Sequence, residues 1–357
     1  MRVVQIIDSL EAGGAERMAV NYANALSGKI KFSGLIATRK QGQLVKQING
    51  KVSYLFLNKK KAIDIKSTFR LRKYIKSNKV EIIHAHGSSF FIAVLVKLTL
   101  PRIKIFWHDH YGTRIKESKF KNKTLISLSL FFYSIFVVSN QLKEWNKKNM
   151  LCKRVTFVPN FTTEKNDLEK TTNLKGIEGK RIVFLANLKN PKNHILILKS
   201  FFELGLKDSD WSLHLIGKDY FDAYSESIKS FIKSNSLEKH IHLYGERNDI
   251  PYVLSQGTIG VLSSTEEGFP VTLLEYGLAG LAVVTTNVGY CSEIIKNDYS
   301  GLLFNPENEL EVKSQLLKIT GNEPLRKRVV KNLKQSILNN YSEEEVINKL
   351  ILLYKSN

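Results

Sequence analysis

Ser263-Ser264-Thr265-Glu266-Glu267-Gly268-Phe269-Pro270-Val271-Thr272-Leu273-Leu274-Glu275 follows the apolar run Ile259-Gly260-Val261-Leu262 and leads into a segment with helical apolar spacing. The pattern predicts a buried strand, a turn and a helix start. Pro270 suits the first helical position, because its missing N–H would have had no intrahelical partner. The N–H groups of Val271 and Thr272 then point out of the helix end, where the macrodipole favours an anion. Glu267 falls just before that helix and Glu275 in its second turn, so two carboxylates flank any ligand whose phosphate rests on the helix end. The competing reading is a surface Glu at a turn and a solvated Glu on a helix, the usual fate of any single Glu.

Outward from this stretch, strand and helix signals alternate in both directions. Downstream come a strand at Ala282–Thr286, the run Leu302-Leu303-Phe304, and helices starting near Glu309, Pro324 and Ser342. Upstream, strands are expected at Arg181–Leu185, Leu213–Ile216 and Ile241–Tyr244, with helices from Lys192 and over Ala223–Ser234. The Thr-, Asn-, Lys- and Glu-rich segment Phe161–Lys180 reads as a linker. Before it lie strands at Arg2–Asp8, Phe32–Thr38, Val52–Leu57, Val80–His86, Lys104–Trp107 and Val155–Val158, with a basic helix over Ile63–Lys76. Such alternation predicts parallel α/β sheets, whose ligands sit beyond the carboxyl ends of the strands. A chain of 357 residues is long for one core, so two domains are expected, 1–165 and 166–340, followed by a terminal helix in 341–357 that packs back towards the first.

Three features lie at those strand ends. Gly13-Gly14-Ala15-Glu16 follows the first strand and opens a helix, which lets backbone approach a ligand, although a plain tight turn is the simpler reading. The loop does not fit G-x-G-x-x-G, which argues against NAD. His84-Ala85-His86 and His108-Asp109-His110 place four of the eight histidines at two strand ends. A spacing of two puts each pair on one face, for metal chelation or for packing and hydrogen bonding; no third ligand of suitable spacing is evident in the sequence. Asp208-Ser209-Asp210 has the D-x-D form of a metal motif, but it sits in a polar turn before a strand and reads as a turn former.

The net charge of +21 is unevenly placed. Residues 1–165 carry 31 Lys and Arg against 9 Asp and Glu, while residues 166–357 carry 23 against 24. A basic half suits an anionic partner, either a nucleic acid, an acidic membrane surface or a phosphorylated substrate; lysine-rich solvated positions are the bland alternative. Cys152 and Cys291 cannot build a disulfide framework, which suits a reducing cytosol. The start reaches Asp8 after a short apolar run, so no signal peptide is expected. Thr124–Leu142 is nineteen residues without a charge, near the length of a membrane span. Its serines and its β-branched, aromatic end favour a buried helix followed by a buried strand.

Gly13-Gly14-Ala15-Glu16, His84-Ala85-His86, Val158-Pro159-Asn160, Lys192-Asn193, Ser264 to Glu275, Val288-Gly289 and Gly301-Leu302-Leu303 occur in the order and spacing of the family 4 retaining glycosyltransferases, which this chain resembles along almost its whole length. The resemblance is strongest to members that build bacterial cell-surface polysaccharides. It implies a GT-B fold of two Rossmann-like domains facing a cleft, with a UDP- or GDP-type sugar donor on the second and a glycan or lipid-linked acceptor on the first. It implies further that Glu275 holds the ribose, Glu267 a hydroxyl of the transferred sugar, and Lys192 the diphosphate. Gly13 and Gly14, together with Gly268, Phe269, Val271 and Thr272, complete the donor contacts. His110, or His108 beside it, takes the family's place near the reacting sugar. Many members carry Gly-Arg where this chain has Ala186-Asn187, so Lys189 stands in for a missing phosphate-binding arginine, without its fork of donors. The family retains anomeric configuration, needs no divalent metal and uses no cofactor beyond the nucleotide sugar. For this chain a cytoplasmic location is expected, peripheral to an anionic membrane through its basic half, with no nucleic-acid partner. The alternatives are a nucleotide-sugar epimerase of the same fold and a non-catalytic basic nucleic-acid-binding protein; no nucleic-acid-binding signature supports the latter.

Overall fold

The computed structural model describes residues 1–11, 13–162 and 170–356. The chain forms two compact units, Met1–Phe161 with Glu343–Asn357, and Thr162–Ser342. The crossings thus fall a few residues from the sequence division at 165 and 340.

The first unit is a seven-stranded sheet. Its strands are β1 (Arg2–Ser9), β2 (Phe32–Lys40), β3 (Ser53–Phe56), β4 (Ile82–His86), β5 (Lys104–Asp109), β6 (Ser134–Val137) and β7 (Val155–Phe157), in spatial order β3-β2-β1-β4-β5-β6-β7. Every described pairing is parallel. A parallel sheet is covered on both faces by its crossover helices, which is why β4 and β5 are almost wholly buried despite their histidines. Strand order reverses between β1 and β4, and at such a switch point two neighbouring loops diverge and leave a crevice. The helix Glu343–Lys355 belongs to this unit and buries Val346, Ile347, Leu350 and Tyr354.

The uncharged segment Thr124–Leu142 resolves into a short helix, Lys123–Leu128, then β6, then the start of the helix Asn140–Asn149. Among the described residues no helix is long and apolar enough to cross a membrane.

The second unit holds β8 (Arg181–Leu185), β9 (Ser212–Ile216), β10 (Ile241–Gly245), β11 (Ile259–Leu262), β12 (Ala282–Thr286) and β13 (Leu302–Phe304), in order β10-β9-β8-β11-β12-β13, again parallel. Its switch point lies between β8 and β11. Of the expected linker, residues 163–169 lie outside the described residues, and Thr171 and Thr172 dock on this unit through backbone N–H and hydroxyl bonds to the Asp249 carboxylate at 2.7–3.0 Å. Asp210 of the D-x-D stretch is a left-handed turn residue paired with Lys180 at 3.3 Å, in keeping with a turn former.

Candidate functional site

In the second unit the opening stretch is a strand, a turn and a helix, Val271–Ala279. Pro270 is the residue before the helix rather than its first residue, with ψ of 89°. The reason is local: its carbonyl accepts from Leu273 N at 3.0 Å and closes the first turn one residue later than the proline rule predicts. Val271 and Thr272 therefore open the helix, both partly exposed, and their N–H groups are the ones left without an intrahelical partner.

Tyr276 fixes this helix on the sheet. It is fully buried, receives Leu185 N at 2.7 Å and donates to Val261 O at 3.0 Å, so one hydroxyl ties the helix to both strands of the switch point. A Cβ on Gly260 would stand 2.5 Å from the Tyr276 ring, so β11 must be bare there. One turn earlier in the same frame lies Thr272, and next to Tyr276 the partly exposed Glu275.

Beyond β8 the chain turns through Lys189–Asn193 before the helix His194–Glu203 begins, two residues later than the sequence suggests. Lys192 N bonds Lys189 O, the Ser263 hydroxyl donates to the Asn193 carbonyl at 2.8 Å, and Thr265 N donates to Pro191 O at 2.9 Å. The end of β11 thereby clamps the turn after β8. The clamp brings the Lys192 ammonium to 2.6 Å from Glu267 Oε1, with the two side chains 24% and 10% exposed. This is a largely shielded ion pair at the amino end of the helix Val271–Ala279.

Of the remaining candidates in this unit, Gly268 accepts Tyr290 N at 3.1 Å through its carbonyl. Phe269 buries its ring against Tyr290, with centroids 5.1 Å apart, and edge-on to Tyr341, so its side chain packs the loop from behind. Lys189 lies over the Tyr220 ring at 5.9 Å and shares it with Lys218 at 5.3 Å. Lys218, two residues past β9, is a second exposed cation beside Lys189 that the sequence reading did not single out.

In the first unit Gly13 precedes the helix Gly14–Ser27. A Cβ on Gly13 would stand 2.1 Å from the Glu16 carboxylate, whereas one on Gly14 would meet nothing within 4 Å. The space beside Gly14 is open, and Ala12 lies outside the described residues.

Pairing of β4 with β5 sets His84 beside Phe106 and His86 beside His108, which gathers His84, His86, His108 and His110 on one face of the sheet. His84 Nε2 meets His108 Nδ1 at 3.2 Å, and His86 Nδ1 meets His110 Nε2 at 2.9 Å. The column is closed by Tyr354 OH on His84 Nδ1 at 2.6 Å and by Gln5 Oε1 on His86 Nε2 at 2.8 Å. Burial holds the first three imidazoles well below the ordinary histidine range and lowers His110 to about 3, so all four are neutral near pH 7. His108 has no exposed surface and lies against Tyr22 and Phe136, while His110, at the strand end, is partly exposed. His110 is thus the least enclosed of the four imidazoles. The third metal-competent histidine that the sequence spacing did not reveal is His108 from the neighbouring strand: His84, His86 and His108 offer ligand atoms within 4.8 Å of one another. The nitrogens of His84 and His86 are, however, already committed to protein partners.

The carboxyl half of the chain, residues 164–336, matches the model of the glycosyl transferases group 1, and residues 12–164 match that of Glycosyltransferase Family 4. The chain belongs to the family 4 glycosyltransferases. It is 24% identical over 310 residues to the UDP-Gal:α-D-GlcNAc-diphosphoundecaprenol α-1,3-galactosyltransferase of Escherichia coli, covering 82% of this chain and 79% of that one. It is 26% identical over 312 residues to the N,N'-diacetylbacillosaminyl-diphospho-undecaprenol α-1,3-N-acetylgalactosaminyltransferase of Campylobacter jejuni, covering 81% of each. The structure of Anabaena HepE in complex with UDP and glucose superposes with a TM-score of 0.82 at 14% identity over 100% of both chains, and a glycosyltransferase of Rickettsia africae with 0.81 at 17% identity over 99% and 97%. The glycosyltransferase therefore has the GT-B fold.

The turn at Gly289 lies directly against the backbone of the glycosyltransferase's Glu267. The glycine's φ is +60°, and a Cβ there would lie 1.9 Å from the Glu267 carbonyl oxygen. Sequence shows Val288-Gly289 as a turn after a strand and as one point of the family resemblance; the approach of the 288–290 turn to residue 267 is tertiary. Gly289→Ala is expected to cost at least about 2 kcal/mol, since the left-handed conformation alone costs an L-residue about 1–2 kcal/mol. Urea unfolding measures it. A change within about 0.5 kcal/mol would show that the turn does not hold this approach.

Proposed function

We propose that this glycosyltransferase moves a sugar from a UDP- or GDP-type nucleotide sugar to a glycan on a lipid-linked carrier, with retention of anomeric configuration and without a divalent metal, in the building of a cell-surface polysaccharide. The observation that carries the reading is the Lys192–Glu267 pair, 2.6 Å apart at the amino end of the helix Val271–Ala279. A diphosphate on that helix end meets free N–H groups and one shielded cation, and Lys192 then offsets charge on the leaving phosphate as the glycosidic bond breaks. Glu267, released from the lysine, accepts a hydroxyl of the sugar, and Glu275 accepts the vicinal ribose hydroxyls. Lys189 and Lys218 extend the positive ground for the phosphates. His110, neutral, orients a hydroxyl by hydrogen bonding, and the departing phosphate takes the acceptor proton, so no protein nucleophile is invoked.

The E. coli relative is named for a diphosphoundecaprenol-linked acceptor, and the HepE structure holds UDP, which supports a nucleotide-sugar donor and a lipid-linked acceptor here. Peripheral docking on the inner face of an anionic membrane draws support from the helix Ile65–Ser77. It carries Lys66, Arg70, Arg72, Lys73 and Lys76, while Ile63, Ile65 and Phe69 are 63%, 67% and 60% exposed. Each basic residue near such a surface contributes about 1 kcal/mol.

The test is a thermal-shift screen of nucleotide sugars, followed by transfer to a diphospholipid-linked sugar in EDTA with the product anomer read by NMR. Stabilisation by a single nucleotide sugar and a product of the donor's configuration are expected. Donor turnover without acceptor would replace the reading by an epimerase, and an inverted product would remove the retaining assignment.

A further inference from the structure

The first unit contains a cavity of about 750 Å³ at the opposite end of the strands from the histidines. It opens where β1, β4 and β5 begin, and it is lined by Ile82 at the start of β4. That start lies four residues, or roughly 13 Å of strand, from His86. The floor is apolar, formed by Ile75, Val80, Leu100 and Ile103. The rim carries Lys76, Lys79, Arg102 and Lys355.

Among the described residues, charge at this rim is uncompensated. The one lining carboxylate, Glu81, is engaged by the Met1 ammonium at 3.8 Å and by Arg2 N at 2.9 Å. Lys104 places its ammonium over the Tyr133 ring at 4.5 Å. Among the described residues no carboxylate pairs with Lys76, Lys79, Arg102 or Lys355. Four cations that no described carboxylate pairs, set around an apolar floor, select for a ligand that has both an anionic head and an aliphatic body. A free phosphate would leave the floor wet, and an uncharged chain would leave the cations unused. A nucleotide presents polar ribose where this floor is aliphatic.

We propose that this cavity is a binding site for a phosphorylated lipid, with the alkyl chain on the floor and the phosphate among the four cations. It is separate from the transfer site and does not rest on the transferase reading. Tyr354, which edges the cavity, donates or accepts at His84 Nδ1 at 2.6 Å, so the site abuts the foot of the histidine column.

Isothermal titration of the full chain with n-dodecyl phosphate, kept below its critical micelle concentration, tests the site directly. Saturable one-to-one binding is expected, with inorganic phosphate at least about 100-fold weaker and dodecyl maltoside at least about tenfold weaker. The double variant Lys79→Glu/Arg102→Glu is expected to lose at least about tenfold in affinity for dodecyl phosphate with an unchanged circular dichroism spectrum. Should that variant misfold, Lys76→Glu/Lys355→Glu, on exposed positions of two other segments, makes the same comparison. Absence of saturable binding, equal binding of phosphate or of the maltoside, or unchanged affinity in the folded variants overturns the proposal.

Discussion

Lys192→Ala is expected to lower the transfer rate by about 10²–10³, an effect carried in kcat, because removing one preorganised charge from a developing anion costs about that much. The same truncation leaves the Glu267 carboxylate, only 10% exposed, without its ammonium partner. A shielded charge stripped of its partner is costly in itself, so a fall in stability accompanies the loss of activity. Glu267→Ala is expected to impair transfer as well, through loss of the sugar contact, but it frees Lys192 for the diphosphate. The two variants therefore separate on donor binding: UDP or GDP alone should bind more weakly to Lys192→Ala and at least as tightly to Glu267→Ala. Lys189→Ala, whose ammonium rests on the Tyr220 ring, is expected to cost about tenfold or less, as befits an exposed cation. Steady-state kinetics with titration of the free nucleotide checks all three. Full transfer in both Lys192→Ala and Glu267→Ala would remove the site.

Acidification is expected to unfold the protein well above the pH at which carboxylates titrate. His84, His86 and His108 lie well below the ordinary histidine value, and His110, His194 and His214 fall to about 3, in each case chiefly through burial. The sign follows from linkage. A histidine depressed in the fold is neutral there, while the unfolded chain takes up a proton as pH falls through about 6.5. The stability it contributes is fully present above about 6.5 and is lost as pH falls towards the folded value. Each such group contributes a slope of about 1.4 kcal/mol per pH unit, and six together exceed roughly 8, against a total stability of about 5–15 kcal/mol. Loss of the folded state near pH 5 with uptake of several protons is the expected result, read by circular dichroism with potentiometric proton counting. Retention of structure at pH 4 would mean that these imidazoles are not held neutral. The same neutrality predicts no histidine limb in the pH–rate profile between about pH 6 and 8.

The alternation of apolar runs with helical segments was enough to specify parallel α/β sheets, because a strand covered on both faces must be apolar along its length, and that pattern is local. The stretch 263–275 likewise announced a strand, a turn and a helix through residues adjacent in the chain. Lys192 and Glu267 each stood out as candidates, but not as a pair. They lie 75 residues apart, and their meeting depends on Ser263 and Thr265 clamping the turn after β8. Pro270 moved from inside the helix to its threshold for a similar reason, since the first turn closed on its carbonyl. The choice between His108 and His110 was open in the sequence, where both fall on one face. Register with β4 and the packing of Tyr22 and Phe136 enclosed His108 and left His110 at the edge. Lys218 carried no signal that distinguishes it from other lysines, and the Val288-Gly289 match showed nothing of Gly289's approach to Glu267, because what matters about each is a neighbour remote in sequence. The amino-acid sequence by itself determined the two sheets, their helices and the residue types available at the strand ends, since these follow from local periodicity and turn chemistry. Only the tertiary structure decided which of those residues touch, how far each is shielded from water and hence which charges are paired or extinguished, because burial and through-space distance are properties of the packed chain.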